Sequence, residues 1–131
     1  MQIKKIKKFK YEDLENLFAS VNWKSAENPK KLVKAFKYAS HVISVWENNI
    51  LVGIIRSMDD NCWSANIDCL VVHKDFQNKG YGKLLLTELL KELENIEYIN
   101  VCPDDKSMEK FYLSFGFKIV EGFYLQKINS L

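Results

Sequence analysis

Apolar residues recur along this chain with two different periods, and the switching between them outlines the elements. Near the amino terminus Ile3, Ile6 and Phe9 stand among lysines and predict a strand over residues 2–9, with imperfect spacing. "YEDLENLFASVNW" then places Leu14, Leu17, Phe18 and Val21 on one helical face. Pro29 sits where a helix can begin, and Leu32, Val33, Phe36 and Ala39 carry its apolar stripe. "HVISVWENNILVGIIRSMDD" reads as two strands joined at Glu47-Asn48-Asn49, a turn-forming cluster. After a second turn at "NCW", Trp63 to Val72 make a third long strand. On simple alternation Trp63, Ala65, Ile67, Cys69 and Val71 share its apolar face, and Ser64, Asn66 and Asp68 its polar one.

The period lengthens again near Gly80. Leu85, Leu86, Leu89, Leu90 and Leu93 form a buried stripe, while Lys83, Glu88, Lys91, Glu92 and Glu94 face water. "IEYINVC" is a short strand. Pro103-Asp104-Asp105 breaks it, and either aspartate can cap the helix that carries Met108, Phe111, Tyr112 and Phe115. Gly116 stops that helix, and "FKIVEGFYLQKI" closes the chain as one or two strands. The order β α α β β β α β α β predicts a mixed α/β sheet with an antiparallel first half. With no linker, repeat or low-complexity segment, residues 1–131 read as one domain.

Composition narrows the function classes. A chain that is 47% hydrophobic and 27% charged is globular rather than disordered. The net charge is only +2, and Arg56 is the single arginine beside eighteen lysines. A nucleic-acid reader would use more arginine for bidentate contacts, so no nucleic-acid partner is expected. "KKIKK" reads instead as a solvated strand edge. Cys62, Cys69 and Cys102 are widely spaced and lack a CxxC pattern, which fits reduced thiols rather than a disulfide framework or metal site. No apolar run is long enough to span a bilayer, and "MQIKKIKKFK" lacks the apolar centre of a signal peptide. The expectation is a cytoplasmic protein with no membrane partner and no metal.

The chemistry concentrates in "LVVHKDFQNKGYGKLLL", where a strand turns into a helix through two close glycines flanked by lysines. Such a corner suits an anion, because helix-start amides and the helix dipole favour negative charge. A dinucleotide GxGxxG would need glycine where Leu85 stands. A Walker loop would need glycine at Gln77 and Ser or Thr at Leu84. What remains is Q-x-x-G-x-G, formed by Gln77, Gly80 and Gly82, with Lys79 and Lys83 at the rim.

In this motif the chain resembles the GNAT N-acetyltransferases, whose acyl-CoA loop is Q-x-x-G-x-G after a strand such as "LVVH". A second family feature, "FY…GF", recurs as "KFYLSFGF" with Phe111, Tyr112, Gly116 and Phe117. "LVGIIRSMDD", with Arg56 and Asp60, and "SVNW" are similar to segments of the plant serotonin-type (arylalkylamine) enzymes and their bacterial relatives. The resemblance covers roughly residues 11–125. It implies a GNAT-like, mostly antiparallel twisted sheet with helices on both faces and a splayed central parallel strand pair. It also implies acetyl-CoA as co-substrate, pantetheine along Leu70, Val71 and Val72, and diphosphate on Gln77, Asn78, Lys79, Gly80, Tyr81, Gly82 and Lys83. Asp105 joins the cofactor-binding set by the same resemblance.

Direct attack of an amine on a thioester needs a free amine, a polarised carbonyl and a proton for the leaving thiolate. Tyr112 matches the tyrosine that relatives use as that acid. The base is open. Relatives carry an acidic residue eight positions before the motif glutamine, where this chain has Cys69, and Asp68 is its neighbour on the opposite face of an ideal strand. A bulge could re-aim Asp68, and a water chain could replace it. Cys69 reads as a small core residue before it reads as a nucleophile, His73 as a residue of the approach to the loop, and His41 has no evident partner. Arg56 and Asp60 are candidates for an ion pair. Trp23, Tyr38, Trp46 and Trp63 are either core residues or the lining of an aromatic-amine pocket. The reading is an N-acetyltransferase for a small-molecule or peptide primary amine, with a homodimer suggested by resemblance alone. A non-catalytic acetyl-CoA sensor is the alternative.

Overall fold

The computed structural model describes residues 1–122 and 125–129. Five strands form one sheet in the order β1-β2-β3-β4-β5: β1 Gln2–Lys4, β2 His41–Glu47, β3 Ile50–Asp59, β4 Ser64–Val72 and β5 Tyr98–Val101. All neighbours are antiparallel except β4 and β5, which run parallel. The helices are α1 Tyr11–Ser20, α2 Pro29–Lys37, α3 Tyr81–Glu92 and α4 Glu109–Leu113.

The helices cover both faces, so the central strands are buried on both sides. Phe18, Phe36, Val42, Trp46, Ile54 and Val71 pack beneath α1 and α2. Ile43, Val52, Ile55, Ala65 and Ile67 pack on the other face against Leu85, Leu86 and Leu89 of α3 and Tyr112 of α4. α2 starts as its sequence suggests: Asn28 Oδ1 accepts from the Lys31 amide, and Pro29 takes the first turn, where its missing N–H costs nothing. Gly53 sets how closely α3 lies on the sheet. A Cβ there would stand 2.9 Å from Leu85 Cδ1, so a larger residue would force the Leu85 side chain to repack.

Three expectations are corrected. The first strand stops at Lys4, and Ile6 is exposed while Phe9 turns into the core. The helix carrying Tyr112 is shorter than its apolar spacing predicts. A 3₁₀ turn over Lys106–Met108, capped by Asp105, precedes α4, and Gly116 at φ +91° ends the segment. The closing strands do not form among the described residues, where 117–122 and 125–128 are irregular. Phe123 and Tyr124, also part of that expectation, lie outside the described residues.

Candidate active site

β4 has two neighbours along its first half and one along its second. Ser64 to Ile67 pair with Tyr98 to Val101 of β5. β5 then ends and the chain leaves at Cys102-Pro103, whereas β4 continues to Val72 with only β3 beside it. Among the described residues, the edge of β4 that faces the gap therefore has no strand partner from Asp68 onward.

The loop at the top of the gap is held from both ends. The His73 amide donates to the Val52 carbonyl at 2.8 Å, and His73 Nδ1 accepts from the Asp75 amide at 3.1 Å. Gln77 Nε2 donates to the Val72 carbonyl at 3.1 Å, so this side chain ties the loop to the strand end. Asn78 and Gly80 take left-handed conformations, with φ 62° and 86°, and turn the chain into α3. Gly80 suits this position because only a residue without Cβ adopts it freely. The Leu84 amide makes the first intrahelical bond, to the Gly80 carbonyl. The amides of Tyr81, Gly82 and Lys83 thus lack helical partners, as at any helix start. A Cβ on Gly82 would meet nothing nearer than the Phe111 ring at 3.8 Å. Packing does not demand glycine there.

A bulge changes the character of β4 at the gap. Between the pairs Ile54↔Val71 and Arg56↔Asp68, β3 advances two residues and β4 three. Cys69 lies at the extra position with φ 56°, a left-handed conformation that costs a non-glycine residue roughly 1–2 kcal/mol. The faces exchange there. Ala65 and Ile67 point towards α3, yet Cys69 and Val71 pack on the α1/α2 core, and Leu70 and Val72 take the α3 side. Strict alternation over residues 63–71 is therefore wrong beyond Ile67, because an inserted residue inverts every side chain after it. Asp68 and Cys69 come to share the α1/α2 side of the strand.

Arg56 holds that bulge. Its Nε and Nη2 donate to the two carboxylate oxygens of Asp68 at 2.6 and 3.1 Å, and its Nη1 donates to the Ala35 carbonyl of α2 at 2.9 Å. The expected Arg56–Asp60 pair does not form. Asp60 Oδ1 instead accepts the amides of Cys62, Trp63 and Ser64, which holds its carboxyl below the usual range.

Burial, followed by the Asp68 charge, pushes the Cys69 thiol up to about 12, so it stays protonated near neutrality and is a poor nucleophile. Tyr112 is buried on the α3 side, the side that Leu70 and Val72 also face, with its ring edge-on to Phe111 and Phe117. Burial, and then the charge of Asp104, pushes its hydroxyl up to about 12. Asp104 is the residue that sequence reasoning passed over except as a helix cap. It follows the end of β5, and burial together with the Asp68 charge raises its own pKa. The available signal was its place three residues beyond Val101, the last partner of Ile67 in the parallel register.

Other candidates disperse. His41 has a partner after all: its Nδ1 lies 2.8 Å from Asp59 Oδ2, and Ser57 Oγ donates to the same oxygen at 3.0 Å. Trp46 is core, stacked on Phe9, and Trp23 lies edge-on to Phe18. Tyr38 and Trp63 are exposed, Trp63 against Tyr98. The four rings line no common pocket. A groove of about 510 Å³ between Lys7–Glu12 and Val33 and Lys37 of α2 shares no residue with the gap. No helix among the described residues is long and apolar enough to cross a membrane.

Comparison with known proteins agrees with this geometry. An acetyltransferase of the GNAT family from Streptococcus pneumoniae TIGR4 superposes with a TM-score of 0.79 at 24% identity, over 96% of this chain and 97% of that one. An aminoglycoside 6'-N-acetyltransferase complexed with coenzyme A gives a TM-score of 0.77 at 16% identity, over 92% and 87%. In sequence, an uncharacterized N-acetyltransferase, ycf52, of Porphyra purpurea is 38% identical over 114 residues, which is 80% of this chain and 63% of the relative. The chain thus spans less than two thirds of that relative's length. The acetyltransferase (GNAT) domain family matches residues 6–125. The bulged, half-paired strand and its glycine loop sit on a fold and a sequence of one lineage: the chain belongs to the GNAT acetyltransferase family.

Proposed function

We propose that this chain is an acetyl-CoA-dependent N-acetyltransferase that acts on a primary amine by direct attack in a ternary complex. The observation that carries the reading is the unpartnered edge of β4 ending at a helix start whose glycines packing does not require. Those two features fit the two ends of acetyl-CoA, an amide-bearing arm and a diphosphate. Backbone groups of Leu70, Val71 and Val72 bind the arm as a strand partner would. The amides of residues 77–83 bind the diphosphate, Lys79 and Lys83 add positive charge at the rim, and Asp105 keeps the turn into α4 in shape through its bond from the Ser107 amide.

When bound, acetyl-CoA supplies an activated acyl group whose transfer leaves a thiolate. Tyr112 holds a proton on Oη across the neutral pH range and donates it to that thiolate. Asp68 has both oxygens engaged by the Arg56 guanidinium, which cannot pass a proton on, so water or Asp104 takes the amine's proton instead. The acceptor is an arylalkylamine, another small amine or a peptide amine; the likeness to the serotonin-type enzymes does not choose among them.

The test is calorimetric titration of acetyl-CoA followed by release of CoA across an amine panel. Binding with release supports the enzyme. Binding without release supports a sensor, a reading favoured by Cys69 standing where relatives have a carboxylate.

A further inference from the structure

We propose that Arg56 is a positioning residue that holds the cofactor gap open by clamping the β4 bulge to α2. This rests on the acetyltransferase reading and adds a residue to it. The guanidinium makes three directed contacts: two N–H groups to the Asp68 carboxylate at 2.6 and 3.1 Å, and a third to the Ala35 carbonyl at 2.9 Å. It lies over the Phe36 ring, 5.7 Å from its centroid, and that ring is fully buried. The clamp is therefore anchored on the core of one face while it grips the strand at the residue before the bulge.

Asp68 is where β4 parts from β5. Ile67 is its last residue paired to Val101, and Cys69 follows in a left-handed conformation. A strained residue persists only where its surroundings over-determine it. On one side of Cys69 the pairing of Val71 with Ile54 fixes the strand; on the other, Asp68 is held by its ladder pairing opposite Arg56 and by the fork of that same residue. Without the fork the bulge can slide out, and a one-residue slip would exchange the faces of residues 69–72. The arm would then meet a different set of backbone groups.

Residue choice agrees. The chain has eighteen lysines and one arginine, and that arginine stands at the one position where a planar fork meets a carboxylate and a third donor reaches a carbonyl. Lysine supplies charge but no such fork. An ordinary surface ion pair would tolerate the exchange; a clamp does not.

The experiment measures binding of CoA and of 3′-phospho-ADP, which lacks the pantetheine arm, to the unaltered protein, Arg56→Lys and Arg56→Met. It also follows amide exchange in the free proteins. The clamp requires CoA affinity to fall about ten-fold or more in both variants, from misplacement of the arm's partners, with 3′-phospho-ADP affinity unchanged. It also requires faster exchange at residues 69–72, with Leu85 to Leu89 still protected. Equal loss for both ligands, or no loss for either, overturns it. So does unchanged exchange at residues 69–72, a readout that needs no ligand. Should the unaltered protein bind neither ligand, the acetyltransferase reading fails, and exchange alone still decides whether Arg56 holds the bulge.

Discussion

The two halves of β4 carry different work on one strand. From Ser64 to Ile67 it has a neighbour on each side, alternates regularly, and buries Ala65 and Ile67 almost completely. From Cys69 to Val72 it has one neighbour, an inserted residue and side chains of intermediate burial at 69, 70 and 72. The lower half stabilises the fold by burial; the upper half is the part that the proposed cofactor would pair with. A single bulge divides the two halves, and on the proposed reading substitutions on either side of it should fail in different ways.

The largest effect is expected at the glycine loop. Gly82→Val should reduce CoA binding below detection, because a branched side chain would stand among the helix-start amides. Thermal unfolding should shift by no more than about 0.5 kcal/mol in stability, since valine suits a helix at least as well as glycine. A large loss of stability in that variant would return the glycine to packing. Tyr112→Phe should lower turnover by about 100-fold while acetyl-CoA affinity stays within a factor of two, the pattern of a lost general acid. Full turnover would make the tyrosine a core residue only.

Stability itself should distinguish the halves. Ile67→Ala should cost about 2–5 kcal/mol in denaturant unfolding, the range for a fully buried aliphatic. Val72→Ala should cost about 1 kcal/mol, in keeping with its partial burial. Comparable losses at the two positions would erase the distinction. The smallest effect concerns thiols. Cys62 and Cys102 are exposed, whereas the Cys69 thiol is pushed up to about 12. At pH 8, mass spectrometry should find Cys69 alkylated about 100-fold more slowly than the other two. Rapid labelling at Cys69 would place it in an open, activated gap.

Most of this architecture is legible in the chain because it follows period and punctuation. The 3.6-residue stripes of α1, α2 and α3, the apolar runs of β2 and β3 and the alternation in lower β4 are local signals, and Pro29 and Gly80 mark helix starts. The glycine motif was legible for the same reason: its residues are adjacent, and their chemistry is that of a helix start. The bulge was not, because nothing in "IDCLVV" distinguishes a cysteine at φ 56° from one in a regular strand. What fixes it is a tertiary contact from Arg56, twelve residues earlier in the chain. The same blindness assigned Arg56 to Asp60, which is nearer in sequence but engaged by its own turn. Asp104 escaped notice because its neighbours Asp68, Cys69 and Tyr112 are brought to it by the sheet.

The central claim is that one ligand spans the upper half of β4 and the glycine loop. The measurement that tests it most directly is a residue-by-residue map of backbone amide shifts during titration with CoA. The account requires the largest changes at Leu70 to Val72 and at Gln77 to Lys83, with little at Ser64 to Ile67. Changes confined to the lysine-walled groove between residues 7–12 and α2, or none at saturating CoA in a folded sample, would contradict it.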